Sequence, residues 1–227
     1  MIAVLPLVAG LQITLLQWAV VQGAIALRIA TLTGAARWWL PLHLVFVPGI
    51  VWAGGIGVPP SAWGLAFIVL AAIYGGTFRT QVPLFLTGES VRARLAELLA
   101  PDRSLRFVDL GCGLGSVITA LKRARPECEF HGVELAPLPY LVSRYRARRA
   151  GCRVERRDLM GIELSSFDVV YAFLSPAPMP ALWAKAQREM RPGSLFVSLA
   201  FSVSGVAPQA VIAASSRERH TLYVWRM

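Results

Sequence analysis

The chain has 227 residues, of which 56% are hydrophobic and 16% charged, with a formal net charge of +10. Those averages conceal a division that excludes one uniform soluble domain. Residues 1–78 contain no Asp or Glu and only Arg28 and Arg37 as strong bases, whereas the other 149 residues hold all 13 acids and 21 of 23 bases. Composition therefore predicts two domains: a membrane anchor over 1–78 and a soluble domain of ordinary single-domain size over 79–227. Cys112, Cys128 and Cys152 form no CxxC pair and are odd in number, which suits a reducing cytoplasm.

In chain order, the first element is an uncharged run over 1–27, longer than the ~20 residues that cross a bilayer as a helix. It lacks the basic start of a cleaved signal peptide. Arg28 and Arg37 bracket a predicted loop, and the run 38–78 is long enough for two further passes. Between them GGIGVPPS (Gly54–Ser61) supplies the turn, because Pro59 and Pro60 cannot continue a helix. Three transmembrane helices are expected, near 3–27, 39–56 and 61–78. Loop arginines place Arg28, Arg37 and everything after Arg79 on the cytoplasmic side, as in a multi-pass protein of a bacterial inner membrane. Trp38 and Trp39 fit an interfacial belt. Gln12, Gln17 and Gln22 read as contacts between helices. His43, an ionisable group within the second span, is a functional hint that a neutral, hydrogen-bonded ring also satisfies.

Beyond residue 88 apolar runs alternate with amphipathic ones. ESVRARLAELLA sets Val91, Leu95, Leu98 and Leu99 on one helical face. Strand LRFVDL runs into helix GSVITALKRAR, and strand FHGVEL into helix APLPYLVSRYRARR, whose Pro137 is acceptable in a first turn. CRVERRD and FDVVYAFL are third and fourth strands, MPALWAKAQREM a helix stopped by Arg191-Pro192-Gly193, and SLFVSLAFSV and HTLYVWR the last two strands. Repeated β-α-β units with almost continuously apolar strands predict an α/β, Rossmann-like, mostly parallel sheet with helices on both faces. Such sheets bind ligands at the carboxyl ends of their strands, so the turn after the first strand is the expected site.

That turn, FVDLGCGLGS (Phe107–Ser116), carries Gly111, Gly113 and Gly115 as GxGxG. A dinucleotide fold prefers GxGxxG, with pyrophosphate on the helix N-terminus; here Ser116 takes the third glycine's place. The pattern suits a ligand lying flat over the turn without a diphosphate, as S-adenosylmethionine does. Asp109 can anchor the ligand's methionine end. Glu134, ending the second strand, can accept both ribose hydroxyls, and Asp158 after the third can meet the adenine amine. Asp168, at the start of the fourth strand, reads as a structural strand-start residue. With only His131 and His220 in the soluble domain, the sequence offers no metal-ligand constellation.

VDLGCGLG, GVEL, RRDL and FDVVYAFL together resemble the class I S-adenosylmethionine-dependent methyltransferases over residues 88–227. GVELAPLPYLVSRYRARRAG, preceded by an apolar anchor and TQVPLFLTGESVRARL (Thr80–Leu95), is similar to membrane-anchored lysine methyltransferases of the mitochondrial ATP-synthase c-subunit and adenine-nucleotide-translocase type and their prokaryotic relatives. The resemblance implies S-adenosylmethionine at Asp109, Gly111, Gly113, Gly115, Glu134 and Asp158, and methylation of a protein lysine. Relatives tend to carry Asp where Leu114 stands and a basic residue where Ser116 stands. No NPPY motif follows the fourth strand, where LSPAPMP is found.

Methyl transfer from a sulfonium needs positioning and a dry channel more than it needs a base. The expected channel lies beyond the fourth strand, with Tyr171, Phe173, Ser175 and Pro176 as candidates. A lipid, quinone or other apolar small molecule is the alternative acceptor, and a non-catalytic cofactor-binding scaffold the alternative of another class. Seven arginines crowd into SRYRARRAGCRVERRD (Ser143–Asp158). They suit an anionic lipid surface first and an acidic protein or lipid substrate second. Nucleic acid fits less well, because no zinc finger, RNP-like strand or helix-turn-helix pattern accompanies them.

Overall fold

The structure, a computed structural model, describes residues 14–34, 40–55, 57–74, 85, 87–99, 103–214 and 220–227. The start of the first expected span with Gln12, then Arg37, Trp38, Trp39, Arg79 and most of residues 80–86, lie outside the described residues. The chain divides into two compact units, Met1–Ala66 and Phe67–Met227.

In the first unit α1 (Leu15–Leu32) begins at a capping box: Thr14 Oγ1 accepts from the Gln17 amide, and Gln17 Oε1 accepts from the Thr14 amide at 2.7 Å. Gln17 therefore closes its own helix start instead of bridging helices. Arg28, expected in a loop, lies inside α1. An uncharged-run criterion stops at the first arginine, but arginine is a good helix former and its long side chain can stay exposed. α2 (Leu40–Gly55) carries His43 and an internal Pro48, and α3 (Pro60–Tyr74), which starts on the second proline of the turn, contains the boundary between the two units. Among the described residues α1, at 18 residues, has the length and apolarity to cross a bilayer, while α2 and α3 have 16 and 15. Ala19, Gly23 and Ala30 form the buried stripe of α1. At Gly23 the backbones come so close that a Cβ would collide with the Leu44 carbonyl oxygen, the small-residue packing usual between apolar helices.

In the second unit α4 (Glu89–Leu98) precedes seven strands: β1 (Arg106–Leu110), β2 (Glu129–Glu134), β3 (Arg153–Arg156), β4 (Val169–Ala172), β5 (Leu195–Leu199), β6 (Ala210–Ala213) and β7 (Thr221–Arg226). They form one sheet in the order β3-β2-β1-β4-β5-β7-β6. The first five are parallel, and β7 runs antiparallel to both β5 and β6. The order reverses between β1 and β4, so a crevice opens beyond their carboxyl ends.

Both faces of the central strands are covered, and β4 (VVYA) and β5 (LFVSL) accordingly read as nearly unbroken apolar runs, whereas the edge strand β3 (RVER) is mostly exposed. One layer packs Val91 and Leu95 of α4, Val117 and Ile118 of α5 (Ser116–Ala124) and Ala147 of α6 (Pro137–Ala150) against Phe107, Phe130 and Tyr171. The other packs Leu182 and Ala186 of α7 (Met179–Glu189) against Val108, Val133, Val170 and Trp225. Alternate residues of one strand, such as Phe107 and Val108, thus serve opposite layers. The strand β6 has no counterpart in the sequence reading. AVIA is short, and its half-exposed alternation is a weak signal.

Candidate active site

The turn after β1 is held by the neighbouring strand. Gly111 and Cys112 both donate to the Val133 carbonyl, at 2.8 and 2.9 Å, and Gly115 donates to the Cys112 carbonyl at 2.8 Å. Gly111, Gly113 and Gly115 all adopt left-handed φ, at 81°, 54° and 73°, a region that disfavours side chains. Gly115 also lets α5 approach α6, since a Cβ there would sit 3.1 Å from Ser143 Cβ. At Gly132 in β2 a Cβ would come within 2.7 Å of Cys112 Sγ. That glycine is what makes room for the turn's cysteine.

Two carboxylates face this turn. Glu134 Oε2 accepts from Gly113 N at 2.9 Å and Oε1 from Ala136 N at 2.8 Å, so one side chain ties the glycine turn to the start of α6. A carboxylate offers about four lone-pair positions. Two therefore remain for a diol. Burial raises the Glu134 pKa and its backbone hydrogen bonds oppose the shift. Asp109 is 3% exposed at the carboxyl end of β1. Burial, and then the charge of Glu134, pushes its pKa up to about 8. A buried acid is costly to ionise, and a cation or donor groups brought beside it would offset that cost.

Asp158 stands beyond β3, where its Oδ1 accepts from Met160 N at 2.9 Å and starts a short 3-10 turn; the side chain is otherwise exposed. Asp168 lies at the other end of the sheet. It accepts from Arg106 N at 2.8 Å and pairs with Arg103 and Arg191 at 2.7 and 3.3 Å, a brace at the amino end of β4.

The channel candidates fall into distinct places, Tyr171 inside β4 and Phe173, Ser175 and Pro176 beyond it. Tyr171 is wholly buried, stacked on Phe107, with its hydroxyl 3.3 Å from Thr87 Oγ1. Phe173 stacks on Phe85 at 4.8 Å and meets His220 edge-on at 5.5 Å, while Phe201 lies 6.3 Å from Phe85. Leu174 closes on Gly111, where a Cβ would be 3.1 Å from Leu174 Cδ2. Ser175 Oγ is buried without a partner among the described residues, and Pro176 is exposed beside it. Just past β5, Ala200 holds φ 67° without being glycine, and Ser198 Oγ donates to the Phe201 carbonyl at 2.6 Å. Such strain persists only where its surroundings enforce it.

Phe85, Thr87, Phe201 and His220 thus gather around Tyr171 and Phe173, and the sequence reading had not marked them as site residues. They sit on a leading segment, a post-strand turn and the start of β7, and no local periodicity links them. The only available signal was that each flanks a strand or helix end on the same side of the sheet.

Parallel strands reversing at β1 and β4, a left-handed glycine turn, and a carboxylate with free lone pairs at the end of β2 define a nucleoside-binding methyltransferase of class I. The chain is an S-adenosylmethionine-dependent methyltransferase, and S-adenosylmethionine is its cofactor. Residues 109–210 match the ANTKMT methyltransferase domain. A protein-lysine N-methyltransferase from Saccharolobus islandicus is 27% identical over 157 residues, covering 64% of this chain and 93% of the relative. The sterol 4-C-methyltransferase strm-1 of Caenorhabditis elegans is 28% identical over 144 residues, covering 57% of this chain but 42% of that protein. Among solved structures, an RNA methyltransferase from Salinibacter ruber in complex with S-adenosyl-L-homocysteine superposes with TM-score 0.57 at 26% identity, over 63% of this chain and 93% of its own.

Proposed function

We propose that the protein methylates a lysine side chain of a membrane-associated protein, with its catalytic domain held at the cytoplasmic face of a bilayer by its apolar helices. The observation that carries this reading is double. Residues 109–210 match the ANTKMT methyltransferase domain, and the relative named for protein-lysine methylation aligns along 93% of its length. The large exposed side chains of α1–α3, among them Ile25, Trp52, Leu65, Phe67 and Ile68, support the membrane part.

The cofactor supplies an activated methyl group on a sulfonium. Glu134 and Asp158 would hold the ribose and adenine, and Asp109 with the three glycines the amino-acid end. The chain's own task is then to present a neutral amine in line. The rings of Phe85, Phe173 and Phe201 make a dry mouth, and desolvation favours the neutral form of a lysine. The unpartnered Ser175 hydroxyl can accept from an amine N–H and so turn its lone pair toward the methyl group.

A second reading, an apolar small-molecule acceptor, is favoured by the sterol methyltransferase relative together with the apolar helices. One experiment separates the two. Membranes from cells lacking the gene are incubated with the full chain and methyl-labelled S-adenosylmethionine, then split into protein, organic-extractable and RNA fractions. Label in protein, recovered as methyl-lysine after hydrolysis, supports the proposal. Label confined to the organic extract selects the second reading, and label in RNA overturns both.

A further inference from the structure

We infer that the outer face of α6, with the edge strand β3, is a docking surface for an anionic bilayer and seats the catalytic domain on the headgroups. The inference rests on the membrane reading above and adds a surface that reading does not need. Between Ser143 and Asp158 there are seven arginines against Glu155 and Asp158, a local excess of +5 (7 − 2). Among the described residues only Arg157 of the seven pairs with a carboxylate, Glu155, at 3.6 Å in an exposed geometry. Arg144, Arg146, Arg148, Arg149, Arg153 and Arg156 have no acidic partner there. Arg146 and Arg156 donate to the Leu114 and Leu135 carbonyls at 3.3 and 3.4 Å, which neutralises no charge. Native surfaces usually intersperse charges of both signs, so six exposed guanidinium groups without a carboxylate partner among the described residues call for an external anion.

The apolar content of the face narrows what that anion is. α6 buries Pro139, Ser143 and Ala147 against its own domain. Its opposite side presents Leu141, 57% exposed, and Tyr145, 62% exposed, four residues apart and therefore adjacent on the helix. Met160, beyond β3, is exposed as well. Apolar side chains among arginines suit an interface where the apolar groups enter the acyl boundary and the charged heads meet phosphates. RNA would instead use a free ring for base stacking. Here Arg149 lies over the Tyr145 ring at 5.5 Å and donates to its hydroxyl at 2.8 Å, and Arg144 lies over Tyr140 at 5.9 Å. Both rings already carry a guanidinium.

The test uses the full chain in lipid nanodiscs. Cys112, Cys128 and Cys152 are buried, so Tyr145→Cys can be labelled selectively with an environment-sensitive fluorophore. Arg188→Cys, on the helix of the opposite layer, is the control position. In discs with about one-third phosphatidylglycerol, the probe at 145 should brighten at least twofold over pure phosphatidylcholine and be quenched by brominated lipid. Salt at 0.5 M, roughly three times physiological, should reverse this, because exposed charges are then screened within a few ångströms. The control should not respond, and the triple change R144E/R148E/R149E should abolish the response at 145. A probe indifferent to lipid charge, or a response that survives the triple change, overturns the inference. So does a probe that answers to a single-stranded RNA oligonucleotide but not to phosphatidylglycerol. If the chain does not enter discs at all, the anchoring reading fails instead, and the same probe with anionic and neutral liposomes added from solution still decides the surface.

Discussion

Glu134 Oε2 and the backbone N–H of Gly113 stand 2.9 Å apart, so the end of β2 fixes the middle glycine of the turn that follows β1. The same side chain holds Ala136 N, and its unused lone pairs are left for a ligand. Glu134→Ala should weaken S-adenosylmethionine binding at least tenfold, by roughly 1.4 kcal/mol or more, while thermal unfolding shows the fold intact. Isothermal calorimetry measures it, and unchanged affinity would remove the ribose role.

If Asp109 holds the cofactor's cationic end as proposed, cofactor binding should be pH-dependent. Its folded pKa of about 8 lies above the ordinary value near 3.9, so the fold favours the protonated acid. Its contribution to stability is complete below about pH 4 and declines as pH rises toward 8, where the unfolded chain has released a proton that the folded one still binds. A cationic ligand favours the ionised form, so binding should expel up to one proton, and affinity should rise between pH 6 and 8 by at most about tenfold per unit. Calorimetry in buffers of different ionisation enthalpy counts that proton. Asp109→Asn should abolish the release; a release that persists in the variant assigns it to another group.

Gly132 and Cys112 form one packing unit. Gly132→Ala places a methyl against Cys112 Sγ and Cβ and should cost about 1–3 kcal/mol by denaturant unfolding. Cys112→Ala removes the closer atom, so the double variant should be less destabilised than the sum of the singles. Strict additivity would show that the turn moves aside freely.

Thr87 and Tyr171 join the segment before α4 to the core of β4. Tyr171→Phe leaves the buried Thr87 hydroxyl without its partner and should cost about 1–2 kcal/mol. Thr87→Val in the same chain should recover part of that loss. If the double variant loses more than either single, the bond is not what holds the segment down.

Much of the catalytic domain was legible along the chain. A buried parallel strand has to be largely apolar, and a turn of left-handed backbone favours glycine, so LRFVDL and GCGLG announced themselves. The mouth was not legible in the same way. Phe85, Phe201 and His220 are ordinary residues until the chain folds, because a loop's role depends on which strand ends it is brought beside. The apolar helices were visible as composition, but Arg28 misled the boundary: charge marks where lipid should end, and a helix can continue past it.

Hydrophobic period and glycine placement alone determined the α/β class and the nucleoside turn, since both are constraints on a residue and its near neighbours. Only the tertiary structure decided that Asp168 braces the far end of the sheet while Asp109, also acidic, lies buried beside Glu134 at the carboxyl end of β1. Solvent exposure and counter-charge are properties of a place, and the place is made by strands that are distant in the chain.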